Sequence, residues 1–283
     1  MKSAHLSDPS ILAPELPHES STDTVTFDFV MAGPRHDLCV SGIGHELTRG
    51  SLDTLATRVR AFFTDCPEEP ALLTGAVPFD RKALDYLFQP RNRHDRVPSA
   101  PFARTALATP KQIIPEPSAA AYRAAVTQAV ARISAGSLDK IVLSRSLRIL
   151  ADRPHDCATL LRNLRRDTEA TSFAVTLPPR DGAPRRLLGA TPELLIERRG
   201  RNILSHPLAG SAPRRADPVE DRRNGVALLA SDKDRREHAM AAEMVLDTLA
   251  PWCDQLDAPD GMALASTAQL WHLGTRIVGR LRD

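Results

Sequence analysis

TSFAVTLPPRDGAPRRLLGATPELLIERRGRNILSHPLAG, residues 171–210, decides the fold. It holds four runs, TSFAVTL, RRLLGAT, ELLIERRG and NILSHPLAG, punctuated by Asp181-Gly182 and by Gly200. Apolar runs separated by such short turns predict successive strands in an antiparallel meander. Downstream, helical patterning extends from about Pro218 to about Ala250, with a break near Ser231. TAQLWHLGTRIVGRL, from Thr267, then reads as one more strand. Strands followed by helices, rather than alternating with them, indicate an α+β fold with antiparallel sheets covered by helices.

Upstream of the meander, residues 1–23 are polar and Pro-containing and read as a flexible arm. VTFDFVMAG (from Val25) and LCVSGIG (from Leu38) read as strands joined by a PRHD turn. Leu52, Leu55, Val59 and Phe62 recur at helical spacing, and ALLTGAVPFD (from Ala71) reads as a buried strand. Residues 88–117 carry Pro90, Pro98, Pro101, Pro110, Pro115 and Pro117, and read as an extended or irregular connector. This divides residues 24–283 into a first sub-region, 24–87, and a second, 118–283, which holds the candidate chemistry. Ser118 caps a helix whose apolar stripe is Tyr122, Val126, Val130 and Ile133, and Gly136 stops it. DKIVLSRSLRIL (from Asp139) reads as a strand and CATLLRNLRRD (from Cys157) as a short helix.

Composition narrows the function classes. Net charge is +2, from 37 basic and 35 acidic residues, with no basic stripe of the kind a nucleic-acid binder presents. No apolar stretch approaches the roughly 20 residues that cross a bilayer, and the N-terminus lacks an apolar signal run. Cys39, Cys66, Cys157 and Cys253 lie far apart without metal-ligand spacing, which reads as reduced thiols. Together these features describe a soluble cytoplasmic protein with neither a nucleic acid nor a membrane as partner.

Three ionisable side chains stand among apolar neighbours. Glu237 shares a helix side with Met240, Ala241, Met244 and Thr248. Such a carboxylate either pairs with a cation or holds a metal; Mg²⁺ takes one or two carboxylates plus water and substrate oxygens. Glu193 shares a strand face with Leu195 and Glu197. It is either an edge glutamate in solvent or a half-buried general acid. Lys140 opens an apolar strand, one of only five lysines in an arginine-dominated chain. It is either a solvated strand-end residue or a base, and arginine could not readily serve as a base. After the meander, Ala209, Gly210 and Ser211 form either an ordinary turn or a backbone seat for an anion, since Gly210 allows close approach. His272 is a core histidine, a ligand or a substrate contact. A Gly-x-Ser-x-Gly elbow and a His-rich metal motif are both missing from the sequence.

Taken in order, GAVPFD, DKIVLSR, GATPELL, HPLAGSAPR, SDKDRREH and LWHLGT resemble the chorismate-utilising enzymes, which include isochorismate, salicylate and anthranilate synthases. The resemblance covers the chain from about Val25 onward and is nearest to the isochorismate synthases of catechol siderophore pathways. Lys140 stands where anthranilate synthases usually carry Gln. The resemblance implies a two-subdomain chorismate-binding fold and a Mg²⁺-dependent conversion of chorismate to isochorismate on the way to 2,3-dihydroxybenzoate. It casts Lys140 as the base that activates water for attack at C2, and Glu193 as the acid that protonates the departing C4 hydroxyl. It casts Glu237 as a magnesium ligand, Ala209, Gly210 and Ser211 as the substrate seat, and His272 as a pocket histidine. It also implies a segment beyond LWHLGT bearing a second metal-binding Glu and an Arg, so the expected fold is incomplete at its C-terminus. Salicylate synthase, which would go on to eliminate pyruvate, and an inactive truncated homologue are the alternative readings.

Overall fold

A computed structural model describes residues 27–95 and 107–282. The strands are β1 (Phe29–Ala32), β2 (Asp37–Glu46), β3 (Thr74–Ala76), β4 (Tyr86–His94), β5 (Pro110–Glu116), β6 (Ser146–Ala151), β7 (Thr171–Arg180), β8 (Ala183–Thr191), β9 (Leu194–Arg199), β10 (Asn202–His206), β11 (Leu208–Pro213), β12 (Cys253–Asp257), β13 (Met262–Ser266), β14 (Leu270–Thr275) and β15 (Ile277–Leu281). The helices are α1 (Leu55–Asp65), α2 (Ala119–Ser134), α3 (Cys157–Leu164), α4 (Pro218–Ala230) and α5 (Asp232–Leu249). The architecture is α+β, and the described strand pairs are antiparallel.

The largest sheet runs β3-β4-β2-β1-β7-β8. Val30 in β1 pairs with Cys39 and Ala174 and lies on one face, where Leu161 of α3 covers it. Phe29, Val40, Tyr86 and Phe88 fill the opposite face, as strand alternation requires. Burial pushes the Cys39 thiol up to about 11, so it is packing material and not a nucleophile. At the start of β4, Asp85 is 1% exposed. It accepts hydrogen bonds from the Arg58 guanidinium at 2.5 and 3.1 Å and from the Gly50 N–H at 3.2 Å. This pairing fastens α1 to the sheet.

The meander forms as its pattern predicts, with positive φ at Asp181 (51°) and Gly182 (76°) making the β7–β8 turn. Its later strands leave the large sheet. β9 and β10 join β12 and β15 in a four-stranded sheet, while β11 joins β14 and β13 in a three-stranded one. Within the three-stranded sheet, Trp271 and Leu273 point toward Gly225 of α4 and Gly210, and Thr275 bonds a residue of α5. That face therefore carries both helices. Ser231 makes the break between α4 and α5 and caps α5 by accepting from the Asp234 N–H at 3.3 Å.

Several expectations are corrected. Strand β6 begins only at Ser146, so Lys140 lies in an unpaired segment, not on a strand; Val142 beside it is 75% exposed. A strand requires a ladder partner, and β5 pairs only from Ser146 onward. Much of the segment expected to be a connector is paired: β4 is a core strand, and β5 pairs antiparallel with β6 across the intervening α2. Residues 96–106 of that segment, the arm at 1–23, and Val25 lie outside the described residues. The large sheet joins strands from both sides of the connector. The α2 stripe is capped as expected, but Val126, Val130 and Ile133 are exposed. ALLTGAVPFD contributes only the three-residue β3, and Phe79 is fully exposed. TAQLWHLGTRIVGRL forms two strands in different sheets, and β12 and β13 were not foreseen.

Asp85→Ala removes one member of a buried ion pair and leaves the Arg58 charge and the Gly50 N–H without their partner. A loss of about 3 kcal/mol of unfolding free energy is expected, measured by urea denaturation. A midpoint equal to that of the unsubstituted protein would contradict this reading of the α1 contact.

Candidate active site

The site is built where β11 runs along the edge of its sheet. Gly210 has φ +80°, and the register against β14 slips between Ala209 and Ser211. This is a β-bulge, which frees backbone groups from the ladder. A Cβ on Gly210 would come within 3.1 Å of the Asp234 Cβ, so the first turn of α5 rests directly on the bulge. Thr191, Glu193, Ala209, Gly210, Ser211 and His272 line a hollow of about 270 Å³ at this edge. A larger, mainly apolar cleft of about 420 Å³ adjoins it and shares Thr191 and Glu193.

Glu193 lies one residue before β9 and is exposed, the first of the two readings its pattern left open and not the half-buried one. Its Oε1 accepts from the Leu208 N–H at 3.4 Å, and its own N–H donates to the Thr191 hydroxyl at 3.1 Å. The carboxylate is thereby held at the mouth of the hollow. His272 enters from β14, opposite Ser211 in the ladder. Burial holds its imidazole below the ordinary value, with Glu193 opposing the shift. Gly274 lies on the same strand face, and a Cβ there would meet the His206 Nε2 at 2.7 Å. His206, half-buried on β10, is therefore seated over a glycine. Its pKa is lowered by burial and by Arg35, against the pull of Glu193, with Arg276 adding to the lowering. The HPLAG phrase contained this histidine, but its burial depends on Gly274, 68 positions along the sequence.

Lys140 and Glu237 meet each other but are not among the residues lining the hollow. The Lys140 Nζ donates to the Glu237 carbonyl at 3.1 Å and lies 4.0 Å from its Oε1. The Lys233 Nζ lies 3.3 Å from Oε2 of the same carboxylate. Glu237 therefore makes the ion pair foreseen as one of its two roles, with lysines as partners. The structure gathers Glu193, Ala209, Gly210, Ser211 and His272 into one group and Lys140 with Glu237 into another. The two groups are joined through the contact of α5 with the Gly210 bulge.

Glu237 offers a hard oxygen donor, with its side chain 31% exposed. One such carboxylate is within the one or two that Mg²⁺ uses, the remaining positions going to water and substrate oxygens. Among the described residues, no group of three or more His, Cys, Asp or Glu is arranged to hold a metal. The donor set thus fits a magnesium ion shared with a substrate, and does not fit a closed zinc site. Among the described residues, no helix is long and apolar enough to cross a membrane, and the four cysteines are free.

Comparison with known proteins identifies the family of the chain. The family described as chorismate binding enzyme matches residues 45–283. The isochorismate synthase DhbC of Bacillus subtilis is 36% identical over 271 residues, covering 90% of this chain and 67% of that protein. The isochorismate synthase EntC of Escherichia coli is 34% identical over 234 residues, covering 79% of this chain and 59% of that protein. Among solved structures, a putative 2,3-dihydroxybenzoate-specific isochorismate synthase, DhbC from Bacillus anthracis, superposes with a TM-score of 0.82 at 32% identity. It covers 91% of this chain and 69% of that one.

The histidines make stability depend on pH in a definite direction. Burial lowers the His206 and His272 values in the fold from the ordinary 6.5. As pH falls through 6.5, the unfolded chain binds protons first, so the stabilising contribution present above that value is lost on acidification. Urea midpoints are expected to fall between pH 7 and 5.5, and to fall less in His206→Gln. An identical decline in that variant would contradict the assignment.

Proposed function

The chain belongs to the chorismate-binding enzyme family, and on that premise we propose that it is a magnesium-dependent isochorismate synthase serving 2,3-dihydroxybenzoate formation. The observation that carries this reading is the grouping of Glu193, Ala209, Gly210, Ser211 and His272 around one hollow, with the first turn of α5 packed against Gly210. The names of the relatives, isochorismate synthases at 34% and 36% identity, support the same reaction.

The reaction moves a hydroxyl between two carbons without changing the composition of the substrate. In this reading Lys140 acts as the neutral amine, having released its proton beforehand, and takes a proton from water as that water attacks C2. Glu193 gives a proton to the C4 hydroxyl, which leaves as water while the ring double bonds shift. The backbone at Ala209–Ser211 receives a carboxylate of the substrate, because a bulged edge strand presents N–H groups that the ladder does not use. Neutral His272 offers a hydrogen bond at the opposite wall of the hollow. Glu237 would hold Mg²⁺, which supplies positive charge to offset the carboxylates of the substrate. Binding the ion would require Lys140 and Lys233 to move off the Glu237 carboxylate, which leaves the Lys140 bond to the Glu237 carbonyl in place.

Purified protein given chorismate and Mg²⁺ is expected to yield isochorismate by chromatography. Salicylate with pyruvate would replace this reading by salicylate synthase, and binding without turnover would leave a non-catalytic homologue. Lys140→Ala is expected to lower kcat by about 100-fold while the chorismate Kd changes little. Turnover at the unsubstituted rate would remove Lys140 from the mechanism.

A further inference from the structure

LWHLGT places three different jobs on one strand. His272 faces the hollow, Gly274 admits His206, and Thr275 points the other way into the packing against α5. There the Thr275 Oγ1 lies 2.7 Å from Nε2 of His238, a residue only 1% exposed. His238 follows Glu237 directly on α5, so a helical step separates the outward carboxylate from the buried ring. The remaining ring nitrogen, Nδ1, is buried and makes no hydrogen bond of ordinary geometry, but the backbone of Ala209 lies beside the ring. His238 therefore stands between the first residue of the proposed substrate seat and the strand that carries His272.

We propose that His238 and Thr275 are positioning residues that fix the Glu237 carboxylate relative to Ala209–Ser211 and His272. The Thr275 hydroxyl and the His238 Nε2 share one hydrogen bond, whose direction follows the ring tautomer. The bond joins α5 to β14 at the level of Glu237. The contact of Asp234 with Gly210 fixes the same helix one turn earlier. Two attachments a turn apart set both the height and the rotation of α5, and rotation decides where the next side chain, Glu237, points. Lys140 shares this control, because its ammonium bonds the Glu237 carbonyl on the same turn. A histidine at this position thus acts on the metal ligand without touching metal or substrate. Partners of this kind typically change metal affinity by about 10- to 100-fold.

The inference rests on the magnesium reading of Glu237, and the test separates the two. Mg²⁺ is titrated calorimetrically into the full chain with chorismate present, for the unsubstituted protein, Thr275→Val and Thr275→Ser. Valine keeps the shape of threonine and removes the hydroxyl; serine keeps the hydroxyl and removes a methyl. Thr275→Val is expected to bind Mg²⁺ about tenfold more weakly, and Thr275→Ser to bind within about twofold of the unsubstituted protein, well short of that loss. Equal affinity in Thr275→Val would overturn the positioning role while leaving the magnesium reading intact. Equal losses in both variants would show that Thr275 acts through packing alone and would also overturn it. Absence of Mg²⁺ binding by the unsubstituted protein would instead remove the magnesium reading itself.

Discussion

Everything at the site depends on how closely α5 approaches β11, and that approach exists because position 210 has no side chain. The left-handed backbone at Gly210 makes the bulge, and the missing Cβ gives the Asp234 turn room to settle on it. One residue thus frees the backbone of Ala209–Ser211 from the ladder and also brings the helix bearing Glu237 into place. Gly274 repeats the device on the neighbouring strand, where it admits the ring of His206. Close approach of backbone to backbone and of ring to backbone is what lets three sheets and one helix present side chains to a common edge.

The placement of Glu237 on α5 has an electrostatic consequence. Glu237 lies within 4.0 Å of two ammonium groups, Lys140 and Lys233. Both are partly exposed, so the pairs are worth little to stability, on the order of 1 kcal/mol or less. A weak pairing is easily exchanged for another cation, which suits the ligand role proposed for this carboxylate. By contrast, Asp85 with Arg58 is buried and fastens the scaffold away from this edge. Tight pairing holds the framework, and loose pairing lies where groups have to change partners.

The sequence made the architecture legible because period and punctuation are local. The meander, the turn at Asp181-Gly182 and the break at Ser231 each follow from neighbouring residues, and each is found. What it could not supply was partnership over distance. DKIVLSR has the alternation of a strand, but only a paired neighbour makes a strand, and none lies beside Lys140 among the described residues. TAQLWHLGTRIVGRL is continuous in pattern, yet it passes from one sheet to another at Arg276. For the site, the motifs named Glu193, Ala209, Gly210, Ser211 and His272, which do converge. They did not decide between an exposed and a half-buried Glu193, or reveal that Lys140 and Glu237 would meet each other outside the lining of the hollow. His206 and His238 stood inside quoted motifs, HPLAG and RREH. Their significance lies in contacts with Gly274 and Thr275, and local pattern carries no trace of those.

The central claim is that Glu237 and the hollow beside it form one site, where an anionic ring and a divalent ion bind together. Binding free energies are reciprocal, so each ligand must then strengthen the other. The most direct measurement is the affinity of chorismate at increasing Mg²⁺, in the unsubstituted protein and in Glu237→Gln. The account predicts that Mg²⁺ tightens chorismate binding in the first and has no effect in the second. Chorismate affinity that ignores Mg²⁺ in both proteins, or rises equally in both, would contradict it.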